Sequence, residues 1–157
     1  MAERKSPLQK GEMAPNFTLK DQNGKDFKLA DLRGKRVLLS FHPLAWTGIC
    51  AKQMQSLEAN KETFQSLNTV PVGISVDSVP TKKAWAEDLK IKDVRLLSDF
   101  WPHGQVAKLY GIFQEDKGIA GRANIIVDEN GKVAFSKVYE ISELPDINEI
   151  IKVLKAL

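Results

Sequence analysis

The chain of 157 residues contains a single cysteine, Cys50, in the stretch FHPLAWTGICAKQM. Pro43 and Thr47 stand before it in the spacing P-x-x-x-T-x-x-C. A cysteine reacts as its thiolate, and an unperturbed thiol, with a pKa of about 8.5, is mostly protonated at neutral pH. A helix N-terminus or a nearby cation favours the ionised form. The apolar positions that begin at Cys50 place it in the first turn of a helix, which supplies the first of these. A loop holding Pro43 and Gly48 can aim the N–H groups of Ile49 and Cys50 at one point, where an anion or a developing oxyanion would sit. Thr47 can turn its hydroxyl toward a small polar substrate, as donor and acceptor. Pro43 lacks a backbone donor and can wall off water.

A permanent cation means arginine rather than lysine. Of Arg4, Arg33, Arg36, Arg95 and Arg122, the last is favoured because it opens the apolar run RANIIVD, where packing gives no reason for a charge. Trp46 is expected to line the substrate entrance. His42 is expected to orient or line the pocket, since a thiolate that is already stabilised needs no general base. Each residue also has a plainer reading. A lone cysteine on a helix face is commonly a small packed apolar residue, Thr47 can be a helix N-cap, and Arg122 can belong to a surface ion pair.

The elements that would position these residues alternate strand and helix. RVLLSF (36–41) and VPVGISV (70–76) are near-continuous apolar runs, as expected of strands buried on both faces. ANIIVDENGKVAFSKVY (123–139) reads as a hairpin turning at 128–131. NFTLKD and DFKLADL flank Asn23-Gly24, a hairpin signal near the N-terminus. VRLLSD (94–99) reads as a strand or an extended connection. Met54, Leu57, Phe64 and Leu67 continue one helical face from Cys50. Further helices are expected at 81–89, 103–110 and 145–157, the last with Pro145 in its first turn. The pattern predicts one α/β domain over residues 1–157 with a mixed sheet, residues 1–9 forming a flexible lead. KKAWAEDLKIKD is expected to be a solvated charged helix face with Trp85 in the core. His103 is expected to be a partly exposed polar residue. The aromatic loop DFWPHG is expected to be a homodimer contact or a pocket rim.

Composition narrows the function classes. The chain is 43% hydrophobic and 27% charged, with net charge +3 and no long basic tract, so nucleic acid is not an expected partner. One cysteine excludes an intramolecular disulfide and any C-x-x-C pair. With two histidines beside it, a thiol-rich zinc site is not expected. No run approaches the ~18 apolar residues of a membrane span, and the N-terminal residues lack a signal-peptide core. The cytoplasm is the expected compartment, where a lone thiol stays reduced.

The motif P-x-x-x-T-x-x-C resembles the active-site signature of the peroxiredoxins. The surrounding order is similar to that family too: GEMAPNFTL near the start, LRGKRVLLSFHPLAWTGIC before the cysteine, LLSD and VAKLYGI in the middle, and GRANIIVDENGKV around the arginine. The resemblance covers roughly residues 10–157. It is nearest the one-cysteine type, such as the bacterial single-cysteine or bacterioferritin-comigratory-like branches. The resemblance implies a thioredoxin-like fold and reduction of hydroperoxides without a metal or organic cofactor. Cys50 would be the peroxidatic nucleophile, Thr47 would position the peroxide, Pro43 would shield the sulfur and Arg122 would stabilise thiolate and transition state. Gln53 stands where many relatives carry Glu, and Ala51 where Thr or Pro is common, so the network behind the arginine is expected to differ. With no second cysteine, an external thiol must recycle the enzyme: a thioredoxin-like or glutaredoxin-like protein, a small thiol, or a second copy of the chain. A second function class is a peroxide sensor that passes its oxidation to a partner protein.

Overall fold

Strand β3 (Arg36–Phe41) carries no polar alternation, and the fold uses it as an inner strand with both faces covered. The computed structural model describes residues 4–157. β3 pairs in parallel with β4 (Thr69–Ser75), which pairs in parallel with β5 (Arg95–Ser98). On its other side β3 runs antiparallel to β8 (Arg122–Val127), and β8 antiparallel to β9 (Val133–Tyr139). The N-terminal hairpin, β1 (Thr18–Lys20) and β2 (Asp26–Lys28), extends the sheet beyond β5, giving the order β2-β1-β5-β4-β3-β8-β9. β6 (Phe113–Gln114) and β7 (Ile119–Ala120) form a separate small hairpin.

The two-residue side-chain period of the strands builds two cores. Val37, Leu39 and Phe41 of β3 join Ala123, Ile125 and Val127 of β8 in one cluster, with Phe17, Phe27 and Tyr110. Leu38 and Ile126 face the opposite way, toward Cys50, Met54, Leu57, Phe64, Trp85 and Ile150. That second face is covered by α1 (Gly48–Ala59), α2 (Lys61–Ser66), α3 (Val79–Leu89) and α5 (Ile147–Ala156). The short helix α4 (Gln105–Leu109) covers the first. Gly73 of β4 permits the close approach of α1: a Cβ there would lie 2.3 Å from Met54 Sδ and 3.2 Å from His42 Cε1.

Four expectations are corrected. The helical face from Cys50 is broken at Asn60, whose side chain donates to the Ser56 carbonyl and competes with helix continuation. Pro145 precedes α5 rather than opening it, and Asp146 is the N-cap, accepting from the Asn148 N–H. Residues 4–9, expected to be a flexible lead, are tied to the body: the Arg4 and Leu8 N–H groups donate to the Lys108 and Tyr110 carbonyls, and Leu8 is buried. Met1–Glu3 lie outside the described residues. The charged face of α3 is not wholly solvated, because Lys82 is buried beside Trp85. In the DFWPHG loop, Phe100 and Trp101 are exposed, as is His103, whose Nε2 lies 2.6 Å from the Gly118 carbonyl. Among the described residues no helix is long and apolar enough to cross a membrane.

Candidate active site

The carboxyl end of β3 feeds a loop pinned by side-chain bonds. The Ala45 N–H donates to Asp77 Oδ2 at 2.8 Å, and the Ser75 hydroxyl donates to the same oxygen. Thr47 Oγ1 donates to the Leu44 carbonyl at 2.8 Å. Between them Trp46 adopts φ 67, in the left-handed region that costs a non-glycine residue roughly 1–3 kcal/mol, and its side chain is exposed. Thr47 occupies the N-cap position of α1, but its side chain caps no helical N–H.

The first bond of α1 runs from the Ala51 N–H to the Thr47 carbonyl at 2.9 Å. The N–H groups of Gly48, Ile49 and Cys50 precede it, so the positive end of the helix dipole lies beside the loop. Cys50, Gln53, Met54 and Leu57 form the buried stripe of this helix, and Cys50 is 0% exposed.

Parity along β8 decides where Arg122 points. Ala123, Ile125 and Val127 fill the far core, so Arg122, Asn124 and Ile126 face α1. The Arg122 side chain, 2% exposed, reaches Cys50 from that face: Nη1 lies 3.4 Å from Cys50 Sγ and donates to Gln53 Oε1 at 2.7 Å. Its Nε and Nη2 both donate to the Ile141 carbonyl, at 3.0 and 2.7 Å. Gln53 Nε2 in turn donates to Ser40 Oγ at 2.7 Å and to the Phe41 carbonyl at 3.2 Å. Gln53 thus serves as acceptor for the arginine and donor to β3, which a carboxylate cannot do. Gln53→Glu is therefore expected to set a carboxylate oxygen against the buried Phe41 carbonyl and to cost about 1–3 kcal/mol. Urea denaturation of the two proteins checks this; equal midpoints would remove the structural role of the amide.

The structure thus brings together Cys50 and Arg122, with Gln53 behind them and with Thr47 and the buried Pro43 on the adjoining loop. Ile49 is half-buried in the first turn of α1, and Trp46 is on the exposed rim. His42 does not line an open pocket. It is fully buried, with Nε2 2.8 Å from Lys82 Nζ and its ring 5.5 Å from that of Trp85. Burial, and next the Lys82 charge, hold the imidazole well below its usual range, so the ring is neutral. Sequence reasoning missed Asp77, which anchors the loop, and the Ile141 carbonyl, which no side-chain pattern can announce. A cavity of about 530 Å³ lies at the other end of the sheet, lined by Lys35, Thr69 and Arg95 among others. No group of three or more His, Cys, Asp or Glu among the described residues could hold a metal ion.

Comparison with known proteins bears on the same region. The AhpC/TSA family profile matches residues 10–136. Alkyl hydroperoxide reductase E of Mycobacterium tuberculosis is 42% identical over 140 residues, covering 88% of this chain and 91% of that protein. The reduced 2-Cys peroxiredoxin of Plasmodium vivax matches with a TM-score of 0.85 at 28% identity, over 96% of this chain and 82% of that one. Peroxidoxin BcpB from Mycobacterium tuberculosis matches with a TM-score of 0.85 at 26% identity, over 96% and 98%. The mixed sheet with its flanking helices is the thioredoxin-like fold of these structures. With a family match that spans most of the chain, and a fold shared along nearly all of it, this protein belongs to the AhpC/TSA family and is a peroxiredoxin, a thiol-dependent peroxidase.

Proposed function

We propose that the protein reduces hydrogen peroxide and organic hydroperoxides by a one-cysteine mechanism centred on Cys50. The observation that carries this reading is the buried contact of 3.4 Å between Arg122 Nη1 and Cys50 Sγ at the N-terminus of α1. A guanidinium on one side and the first helical N–H groups on the other both favour negative charge at the sulfur. The thiolate attacks the terminal oxygen of the peroxide. The O–O bond breaks, Cys50 becomes a sulfenic acid, and the departing oxygen takes a proton and leaves as water or alcohol. Charge develops on that departing oxygen, which Arg122 and the N–H groups of Ile49 and Cys50 would meet. Thr47 has committed its hydroxyl proton to the Leu44 carbonyl, so toward substrate it acts as an acceptor and can orient the peroxide O–H. Pro43, buried in the same loop, adds no backbone donor there.

Reduction needs two equivalents of an external thiol, because the chain has no second cysteine. One thiol condenses with the sulfenic acid, forming a mixed disulfide and releasing water; a second attacks that disulfide and restores the Cys50 thiol. A thioredoxin-like or glutaredoxin-like protein or a small thiol can fill the role, and mass spectrometry of the oxidised enzyme mixed with each would identify the adduct. Stopped-flow tryptophan fluorescence of the reduced protein with hydrogen peroxide and with an organic hydroperoxide tests the first step. A second-order reaction far faster than that of free cysteine is expected. A rate equal to that of free cysteine for both peroxides would overturn the assignment.

A further inference from the structure

The peptide unit between Leu44 and Ala45 is gripped at both ends by side chains. Its carbonyl, on Leu44, accepts from the Thr47 hydroxyl at 2.8 Å. Its N–H, on Ala45, donates to Asp77 Oδ2 at 2.8 Å, from a residue 32 positions further along the chain. Asp77 is itself oriented, because the hydroxyl of Ser75, buried at the end of β4, donates to the same oxygen. The mechanism above uses the Thr47 end of this unit and leaves the Asp77 end without a part.

Leu44-Ala45 is a trans peptide, so its carbonyl and its N–H lie in one plane, point in opposite directions and turn together. If the Ala45 N–H swings away from Asp77, the Leu44 carbonyl swings away from Thr47 by the same rotation. The loop has reason to swing. Trp46, which follows this unit, sits at φ 67, a conformation that a tryptophan leaves when it is released. Helix α1 does not hold the Thr47 hydroxyl either: the helix begins on the Thr47 carbonyl, and the side chain caps no helical N–H.

We propose that Asp77 is a positioning residue for the peroxide: through the plane of the Leu44-Ala45 peptide it fixes the direction of the Thr47 hydroxyl proton, and with it the lone pair that Thr47 turns toward substrate. This deepens the role proposed for Thr47 in the Cys50 reaction and rests on it. The oxygen of Asp77 matters here rather than its charge, since one oxygen with two lone pairs takes both bonds. Support of the thiolate comes from elsewhere, because Arg122 is held by Gln53 and the Ile141 carbonyl. Asp77 therefore governs where the peroxide sits and not how readily Cys50 ionises.

A double-mutant cycle on the rate at which peroxide oxidises Cys50, followed by rapid quenching and mass spectrometry, tests this. Asp77→Ala should slow that step by about 10–10²-fold, the scale of a small misplacement of reacting groups. The pH midpoint of the thiolate's ultraviolet absorbance should stay at its wild-type value. Asp77→Asn keeps the accepting oxygen and should recover most of the lost rate. In a Thr47→Val background, where the hydroxyl is gone, Asp77→Ala should cost little more. Equal slowing with and without the Thr47 hydroxyl would assign Asp77 to structure alone and overturn the proposal, as would a rate loss matched by a shift of the thiol midpoint. Where Asp77→Ala does not fold, hydrogen exchange at the Ala45 amide of the wild-type protein decides: slow exchange is expected, and exchange at the rate of an unbonded amide would overturn the proposal. A wild-type protein no faster with peroxide than free cysteine would remove the Cys50 reading and this one with it. A fast wild type with an equally fast Asp77→Ala would remove this one alone.

Discussion

Cys50→Ser is expected to abolish peroxide consumption and the peroxide-induced fluorescence change while leaving the fold intact. A serine hydroxyl is a weak nucleophile unless a base takes its proton. The nearest imidazole cannot do so: His42 Nε2 is committed to Lys82 Nζ, and the ring is buried. The substitution is otherwise mild, because the serine oxygen can accept from Arg122 Nη1 where the sulfur now stands. Stopped-flow fluorescence, together with mass spectrometry for an oxygen atom added at residue 50, checks both parts. Residual saturable turnover in the serine variant would place the reacting group elsewhere.

Arg122→Met is expected to slow the first oxidation step by about 10²–10³-fold, the scale of losing one preorganised charge partner for a developing oxyanion. The variant also strands acceptors. Gln53 Oε1 loses its donor, and the Ile141 carbonyl loses two. About 1–3 kcal/mol of stability should go with each acceptor left dry, so the rate must be measured at a temperature where the variant is folded. Arg122→Lys separates the contributions. It restores charge without the planar fork, and should recover part of the rate but not the double bond to Ile141. A full wild-type rate in Arg122→Met would remove the guanidinium from the support of the thiolate.

Much of this was legible because periodicity carries placement. The apolar run at 36–41 and its antiparallel partner at 122–127 were readable as strands, and strand parity then sends Arg122 to the face that holds Cys50. The Asn23-Gly24 hairpin was readable for a local reason, since Gly24 adopts φ 75 in the turn. Lys82 was misread because KK in a charged helix looks like solvent-facing surface. Yet its spacing from Trp85, Ala86 and Leu89 puts it on the buried stripe, and that was the available signal. The break at Asn60 depends on a single side-chain bond, and the β6–β7 hairpin on two residues per strand, both too little for any periodic pattern to register. His42, adjacent to the motif, looked like a pocket residue. Only the tertiary packing of α3 shows that its ring is already occupied.

The Arg122 guanidinium is held from three separated stretches of chain: its own strand β8, Gln53 on α1, and the Ile141 carbonyl in the connection between β9 and α5. Until all three have docked, the sulfur has no cation at its side. On the role proposed for Arg122, a chain still emerging from synthesis, or one opened locally along its last connection, would carry only the slower chemistry of a thiol without its cation. On the mechanism proposed for Cys50, reactivity would be reserved for the completed fold, and a half-folded molecule would be spared the oxidation that its finished form undergoes.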